Sequence, residues 1–346
     1  MATKKRVGII FGGRSPEHDV SLRSARSVLA ALDTKKYTPV LIGIDRLGTW
    51  LDAAESRTLL ETGKAPKRKQ DLMPKLDLKK IDVVFPVLHG SFGEDGIMQG
   101  FLKLVGLPFV GPGVLGSAMG MDKDVTKRIL AHAGIAVSPG IVVRKEELAG
   151  LSFARVKKQL GLPLFIKPAN AGSSVGVSKA KNEKDFADAV AMAFRFDSKI
   201  LIESAIDGRE IECAVLGNED PIVAIPGEII PGEEFYSYDD KYASSSASSV
   251  EIPANIPKAT LREIKETAVL AYKALCLEGL SRVDFFYTRD GKLLINEVNT
   301  IPGFTSISMY PKMWEATGMP MQELVSRLLE AALSRHEKES GLATTM

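Results

Sequence analysis

The stretch from Leu293 to Ser308 constrains the fold of this chain more than any other. It opens with apolar residues, as a β-strand does, and then presents Asn296, Glu297 and Asn299 in close succession. Because side chains alternate along a strand, Glu297 and Asn299 are predicted to share one face, while Asn296 and Val298 share the other. This polar grouping indicates a functional site; the alternative is a polar strand end at the surface.

A second strand is predicted directly before this stretch, over residues 281–287, with a turn over residues 289–292. Antiparallel pairing of the two strands brings Asp284 close to Glu297 and Asn299. Two carboxylates and an amide offer hard oxygen ligands, and Mg²⁺ prefers a few carboxylates together with the phosphates of a substrate. The sequence therefore predicts a hairpin that holds magnesium beside a phosphate-bearing molecule.

Composition bounds the class of protein. A length of 346 residues predicts two or three domains, and 25% charged with 45% hydrophobic residues is typical of a folded protein. The net charge of +2 gives no case for a nucleic-acid or membrane partner. The apolar run from Val7 to Phe11 is too short for a signal peptide, so a cytoplasmic protein is expected. Cys213 and Cys276 are both predicted to be reduced, buried thiols.

Residues 1–120 are predicted to form a Rossmann-like parallel sheet. Val7–Phe11, Val40–Ile44 and Val83–Val87 are unbroken apolar runs, typical of strands covered on both faces, and a helical pattern follows the first. Ligands of such sheets bind at the carboxyl ends of the strands, where the loops bearing Glu17 and His89 lie. We therefore predict a binding edge at these two loops.

Glu17 has an alternative structural interpretation. Glu17 could pair with an ammonium group, or it could be an acid favoured by the dipole of a following helix. His89 precedes a glycine-rich loop and could hold a carboxylate. A match to G-x-G-x-x-G at Gly111–Gly116 lacks the acidic residue that would hold a ribose, so we reject a nicotinamide site and place the first domain boundary there.

Residues 121–204 are predicted to form a second unit. Asp122 is a candidate N-cap, and Lys167 lies at the end of a predicted strand, before a loop of small residues over 169–177. Such a loop can close over phosphates with its backbone N–H groups, and the lysine adds positive charge. A plain hairpin loop is the alternative. Residues 205–346 form the third unit, which contains a long polar segment from Pro231 to Ser249 that is predicted to be functional.

Taken together and in this order, these motifs resemble the D-alanine–D-alanine ligases of the ATP-grasp superfamily over nearly the whole chain. The matching stretches are residues 12–17, 88–96, 121–123, 167–177, 208–210, 241–242, 282–284 and 296–308. The resemblance implies a mixed α/β fold of three domains: a Rossmann-like domain over 1–120, a central ATP-grasp subdomain over 121–204, and a C-terminal one over 205–346 with the metal and substrate sites. It also implies a homodimer.

The activity implied is ATP-dependent ligation of two D-alanine molecules through a D-alanyl phosphate, giving a peptidoglycan precursor, ADP and phosphate. A D-alanine–D-lactate ligase, or another ATP-grasp carboxylate–amine ligase, is the alternative activity. A nucleotide-binding protein without catalysis is the competing class, which would be expected to lack Asp284, Glu297 or Arg282; all three are present.

The resemblance also implies roles for individual residues. The nucleotide-binding residues are Lys123 and Lys167 at the phosphates, Glu203, Ala205 and Ile206 on the adenine side, and Glu210 at the ribose. Two Mg²⁺, or Mn²⁺, are held by Asp284, Glu297 and Asn299. The catalytic residues are Glu17, Ser173, Tyr242, Arg282 and Gly303, and the substrate-binding residues are His89, Lys241 and Ser308. One departure is Ser204, where many relatives carry a lysine at the nucleotide.

Overall fold

The computed structural model describes residues 3–66, 78–232 and 248–343. Its first part is a parallel sheet with helices around it, as predicted. The elements are β1 (Lys5–Gly12), α1 (His18–Ala31), β2 (Tyr37–Ile44), α2 (Ala53–Thr62), β3 (Val83–Val87), α3 (Ile97–Leu104) and α4 (Val114–Met121). The strand order is β2-β1-β3, and every pair is parallel. The carboxyl ends of β1 and β3 therefore lead into the loops that bear Glu17 and His89.

A four-stranded antiparallel sheet forms the middle of the chain, in the order β4-β7-β5-β6. The elements are α5 (Lys123–His132), β4 (Gly140–Arg144), α6 (Phe153–Leu160), β5 (Leu164–Pro168), β6 (Ser178–Ala180), α7 (Glu183–Ala193) and β7 (Lys199–Ser204). As predicted, Asp122 caps α5: its side chain accepts hydrogen bonds from the N–H groups of Asp124 and Val125. The cap fixes the start of α5 and so the position of Lys123, its first residue.

The last part combines a second, larger sheet with three helices. The elements are β8 (Gly208–Gly217), β9 (Ile222–Val223), β10 (Gly227–Ile230), β11 (Ser249–Glu251), α8 (Lys258–Ala274), β12 (Gly279–Thr288), β13 (Leu293–Asn299), α9 (Met309–Ala316) and α10 (Met321–Ser340). The strand order is β11-β10-β8-β12-β13, with β9 beside β8. The predicted hairpin is thus confirmed as β12 and β13.

A bulge in this hairpin corrects the prediction for Asn296. Asp284 pairs with Glu297, but the next pair is Phe285 with Ile295, so Asn296 is the extra residue. Strict alternation placed Asn296 on the opposite face from Glu297, which is wrong: its Oδ1 accepts a hydrogen bond from Lys167 Nζ at 3.2 Å on the cavity side. The prediction holds for Val298, which lies in the core.

The C-terminal helices pack against the N-terminal sheet and hold the loop after β13 in place. Leu324 and Leu328 of α10 share one buried cluster with Phe11 and Phe85. Phe304 packs edge-on against Phe85, with ring centroids 5.5 Å apart. Burial of a large apolar side chain contributes about 1.5–3 kcal/mol, so these contacts fix the loop to the sheet.

Two further points concern the sequence predictions. Cys213 is buried, as predicted, whereas Cys276 is exposed, because it follows the C-terminus of α8 with φ at 51° and faces outward. The three-domain division stays a prediction; each sheet falls within one of the three predicted ranges, although the core is shared between the first and the last. None of the helices in the described ranges is both long and apolar enough to cross a bilayer.

Candidate active site

Two adjoining cavities lie where the three parts of the chain meet. The larger, of about 450 Å³, lies between the central sheet and the C-terminal sheet, and the smaller, of about 110 Å³, lies between the N-terminal loops and the loop after β13. Arg282 and Glu212 line both cavities. A molecule in one cavity therefore meets a molecule in the other at these two side chains.

A row of side chains across the central sheet forms one wall of the large cavity. Lys179 on β6, Phe165 on β5 and Glu203 on β7 are in register, so they share one face. Ala205, Ile206 and Glu210 line the same cavity, as the nucleotide prediction requires of them. Ser204, the residue that departs from many relatives, donates its hydroxyl to Leu160 O at 2.8 Å.

The Glu203 carboxylate is buried between two lysines. Lys167 Nζ lies 2.7 Å from Oε2, and Lys127 contacts Oε1. Burial alone would raise the pKa of Glu203, but the attraction of Lys167 and Lys127 outweighs it and lowers the pKa. Burial lowers the pKa of Lys127 to about 8, against the opposing attraction of Glu203. The cluster is therefore charged at neutral pH.

The loop of small residues between β5 and β6 is tied to the N-terminus of α5. Lys123 donates its backbone N–H to Ala169 O at 3.0 Å and its ammonium group to Ala171 O at 2.8 Å. Ser173 and Ser174 both adopt positive φ, at 48° and 58°. This loop thus presents consecutive backbone groups beside Lys123 and Lys167, an arrangement suited to phosphate.

Three acids form a row across the C-terminal sheet. Asp284 on β12 is in register with Glu212 on β8 and with Glu297 on β13. Arg282 reaches Asp284 through Nε at 2.7 Å and Nη2 at 2.6 Å, and Glu212 through Nε at 3.0 Å. Asn299 Nδ2 donates to Asp284 Oδ2 at 2.8 Å. The predicted metal ligands are therefore adjacent.

These acids are neutralised by basic side chains. Burial opposes the charge of Arg282, but Asp284 and Glu212 raise its pKa well above the usual value. Lys123 Nζ lies 3.2 Å from Glu297 Oε2. Within the described residues, no group of three or more His, Cys, Asp or Glu side chains is arranged to hold a metal ion. To bind a metal ion, Asp284 would have to give up its ion pair with Arg282, and Glu297 its ion pair with Lys123.

Glu17 lines the small cavity, and its carboxylate is buried between two glycines. Ser173 Oγ donates to Glu17 Oε1. A Cβ atom added at Gly90 would lie 2.6 Å from Glu17 Oε2, and one at Gly172 2.9 Å from it. A side chain at either position would displace the carboxylate from where it lies. Tyr242, predicted to join Glu17 through Ser173, and Lys241 lie outside the described residues.

His89 is buried in the same cavity and bonded to the loop after β13. Its Nδ1 lies 3.1 Å from Ile301 O, and its Nε2 lies 3.0 Å from Ser24 Oγ, which accepts the Phe304 N–H at 3.2 Å. Burial lowers the pKa of His89 to about 4, although the bond to Ile301 opposes the shift. The ring is therefore neutral at pH 7 and fixes the position of the loop that carries Gly303.

Gly303 and Ser308, both predicted site residues, also line this cavity. Ser308 Oγ accepts the Thr305 N–H at 3.0 Å and lies 2.7 Å from Thr305 Oγ1. Ser308 precedes α9 directly, so its hydroxyl stands at the positive end of a helix. A carboxylate is the ligand that this environment favours.

Three ionisable residues of the site were missed in the sequence. Glu94 accepts the Gly90 N–H at 2.8 Å and the Ile301 N–H at 3.3 Å, and so joins the first loop to the last. Burial first, and then the Glu17 charge, raise the pKa of Glu94 to about 8. Glu212 and Lys127 are the others. Glu212 follows Glu210 at strand spacing, a signal that could have placed it in the cavity.

The acid sensitivity of folding tests the neutral state of His89. Its pKa is about 4 in the folded protein against an ordinary value of 6.5, so the unfolded chain binds the extra proton between these values. Stability from this residue is present above pH 6.5 and is lost as the pH falls towards 4, by roughly 3 kcal/mol in total. We expect His89→Gln to lack this loss, measured as the free energy of unfolding in urea from pH 7 to 4.

The exposed His132 gives a matched control, His132→Gln, which is expected to follow the wild type. Glu94 contributes with the opposite sign, since its raised pKa stabilises below pH 4.5 and the contribution is lost as the pH rises through about 8. The contribution of Glu94 is the same in the wild type, His89→Gln and His132→Gln. Parallel curves for the wild type and His89→Gln would contradict the neutral, buried histidine.

Comparisons with known proteins give matches over nearly the whole chain. The family models for the D-ala D-ala ligase N-terminus and C-terminus match residues 6–112 and 129–330. The D-alanine–D-alanine ligase of Shouchella clausii is 48% identical, over 99% of this chain and 98% of that relative. The D-alanine-D-alanine ligase structure from Coxiella burnetii has a TM-score of 0.82 at 37% identity, covering 98% of this chain and 97% of its own. The structure of the VanG D-Ala:D-Ser ligase from Enterococcus faecalis also has a TM-score of 0.82, at 36% identity; the match covers 95% of this chain and 100% of that one.

Proposed function

The chain belongs to the D-alanine–D-alanine ligase family, and we propose that it joins two D-alanine molecules at the expense of ATP. The products are D-alanyl-D-alanine, ADP and phosphate, and the dipeptide serves peptidoglycan synthesis. ATP occupies the large cavity, and the amino acids occupy the small one.

One observation carries this proposal: Arg282 and Glu212 belong to the walls of both cavities. A carboxylate bound beside Glu17 and His89 is thereby placed next to the charged end of the nucleotide cavity, where Lys123 and Lys167 lie. Holding two reactants in attacking geometry supplies a large part of the rate enhancement in such reactions. A protein that only binds a nucleotide has no need of the second cavity.

The proposed reaction has two steps. A carboxylate oxygen of the first D-alanine attacks the γ-phosphorus of ATP, the bond to the β-phosphate breaks, and ADP leaves. The amine of the second D-alanine then attacks the carbonyl carbon of the acyl phosphate, loses a proton and expels phosphate. The phosphoryl group is needed because a carboxylate is a poor acyl donor. Arg282 and the N–H of Gly303 stabilise the oxyanion, an effect worth about 2.7–4 kcal/mol for one donor elsewhere.

Glu17, Ser173, His89 and Ser308 position the amino acids. Glu17 binds the ammonium group of the first D-alanine, since it is a buried carboxylate held by Ser173. His89 lies near its carboxylate and, through its hydrogen bond to Ile301 O, positions the loop that carries Gly303. Ser308 holds the carboxylate of the second D-alanine, and the resemblance assigns Lys241 to the same carboxylate and Tyr242 to the incoming amine.

The donor set at the hairpin fits divalent ions. Asp284, Glu297 and Asn299 offer oxygen ligands on two paired strands, and we propose that they hold two Mg²⁺, or Mn²⁺, with the phosphates of ATP. Bound ions screen the charge of the phosphates from the attacking carboxylate. Asn299 is bonded to Asp284 through its amide nitrogen, which leaves its oxygen for an ion.

A phosphate-release assay with product analysis tests this function. We expect release of phosphate from ATP only with Mg²⁺ and a D-amino acid, in the ratio of one phosphate to one D-alanyl-D-alanine. D-Serine and D-lactate are the competing second substrates, the first because a structural relative is named a D-Ala:D-Ser ligase. Phosphate release without any D-alanyl product would contradict the proposal.

We also propose that the protein is a homodimer that associates through an apolar patch on α3 and α4. These two helices pack against each other, and Leu104 is 87% exposed, Leu115 60% and Ile97 56%. Exposed large apolar side chains on two neighbouring helices are a reason to propose an interface there.

A charge placed in this patch tests the dimer. We expect Leu104→Glu to convert a dimer to a monomer, because an isolated carboxylate cannot be buried without a partner. The mass in solution is measured by sedimentation at micromolar concentration. The control is Leu270→Glu, at a position on α8 that is 59% exposed. A wild type that is monomeric, or a Leu104→Glu variant that stays dimeric, would contradict this interface.

A further inference from the structure

Lys127 is a buried cation on the site's border that the proposed reaction does not use. Only 8% of it is exposed, and its ammonium group contacts Glu203 Oε1. It lies behind Glu203, outside the set of described residues that line the large cavity, whereas Lys167 and Glu203 belong to that set. The direct contact of Lys127 with the cavity lining is therefore its ion pair with Glu203.

The two lysines that share Glu203 differ in what else they can bind. Lys167 also donates to Asn296 Oδ1 at 3.2 Å and lies at the start of the small-residue loop, so phosphates in the cavity compete for it. Lys127 is enclosed and has no such access. When a nucleotide draws Lys167 away, Lys127 remains as the counterion of Glu203.

The charge state of Glu203 decides which groups it can bind. An ionised carboxylate only accepts hydrogen bonds, whereas a protonated carboxyl also donates one. A buried carboxylate that loses its cation takes up a proton, because burial disfavours the charged form. Without Lys127, Glu203 would change from a pure acceptor into a group that both donates and accepts.

We propose that Lys127 is a positioning residue that keeps Glu203 ionised in the nucleotide complex and thereby selects adenine over 6-oxopurines. This inference rests on the proposed function at one point: ATP binds in the large cavity with its base beside Glu203. Adenine presents an exocyclic amino group, which donates to a carboxylate. Hypoxanthine presents a carbonyl oxygen at the same position; a carboxylate repels this oxygen, whereas a protonated carboxyl donates a hydrogen bond to it.

The apolar surroundings strengthen this selection. Phe165 stands beside Glu203 in the same row of the sheet, and Ile206 and Phe286 line the same cavity. Where apolar side chains surround a polar group, water does not replace a hydrogen bond that the ligand fails to make. A site built around one hydrogen bond therefore rejects an analogue that lacks the matching donor or acceptor.

Binding of ADP and inosine diphosphate to the Mg²⁺-containing protein, measured by calorimetry without any amino acid, tests the proposal. We expect the wild type to prefer ADP, and Lys127→Met to lower ADP affinity about 10- to 100-fold. Binding of inosine diphosphate is expected to change by less than about 3-fold or to improve, so the preference collapses. Lys127→Arg restores the charge and is expected to recover part of the preference.

Arg128→Met is the matched control, since Arg128 is the neighbouring cation on α5 and its side chain is 68% exposed. It is expected to leave both affinities unchanged. If Lys127→Met does not fold, Lys127→Gln, which keeps an N–H donor without a charge, is measured in its place. Equal losses for both nucleotides, or an unchanged preference, would overturn the role of Lys127. Because no ligation is measured, a chain that binds ADP selectively but forms no dipeptide would refute the proposed function alone.

Discussion

Glu297→Gln is expected to lower turnover by about 1,000-fold or more, since stabilisation by a bound ion is worth several kcal/mol and each 1.36 kcal/mol is tenfold in rate. The substitution keeps the shape of the side chain and removes one of the two charged ligands of the hairpin. It also removes the counterion of Lys123. Turnover is measured by phosphate release over a range of Mg²⁺ concentrations, and the residual activity is expected to require more Mg²⁺.

A binding measurement separates loss of the ion from loss of chemistry. Mn²⁺ binding in the presence of ADP, followed by electron paramagnetic resonance, is expected to weaken in Glu297→Gln. The control is Glu278→Gln, which removes a carboxylate ion-paired with Arg335 at 3.2 Å, away from the described lining of both cavities. Near-normal turnover with unchanged Mn²⁺ binding in Glu297→Gln would refute its role as a ligand.

Arg282→Lys is expected to lower kcat by about 100- to 1,000-fold, the loss found when one oxyanion donor is removed. Lysine keeps the positive charge between Asp284 and Glu212 but cannot reproduce the two-pronged contact of arginine with Asp284. The KM for ATP is expected to change much less, because Lys123 and Lys167 remain. Steady-state kinetics with both substrates varied gives the two constants.

Arg335→Lys is the matched control for loss of a buried arginine. Arg335 donates to Gly111 O at 2.7 Å and to Phe109 O at 2.8 Å, so this variant is expected to melt at a lower temperature with unchanged kcat. An Arg282→Lys variant whose whole effect lies in KM would place Arg282 in ground-state binding and not in the transition state.

The charges of the site have a common feature that explains both predictions. Glu203 is paired with Lys167, Glu297 with Lys123, and Asp284 with Arg282. Each pair offsets the cost of burying isolated charges. A nucleotide with its ions carries both signs of charge and can take over both members of each pair, so binding exchanges partners and exposes no bare charge.

The parts of this site that follow local rules were predictable from the sequence. The alternation of side chains and the turn residues predicted the hairpin of β12 and β13. Asp122, as an N-cap residue, predicted the start of α5. The apolar run Val83–Val87 matches β3 residue for residue. The resemblance assigned Glu17, Ser173 and Gly303 to one site, and the three residues line the small cavity together; their catalytic roles stay predictions.

Other features depend on residues far apart in the chain, and no local rule reaches them. The pairing of Lys127 with Glu203 depends on how α5 packs against β7, and Glu94 joins two loops 207 positions apart. The bulge at Asn296 arises from the pairing of two whole strands and not from the composition of either. Burial, which sets the pKa of His89 and Glu94, is likewise a property of the assembled fold.

Transfer of an isotopic oxygen tests the acyl phosphate most directly. The enzyme is supplied with ATP, Mg²⁺ and D-alanine labelled with ¹⁸O in its carboxylate, and the released phosphate is examined by mass spectrometry. Attack of the carboxylate on the γ-phosphorus, followed by expulsion of phosphate, places one labelled oxygen in each phosphate and leaves the other in the new peptide carbonyl. Dipeptide formation with unlabelled phosphate would show that the carboxylate never attacks ATP.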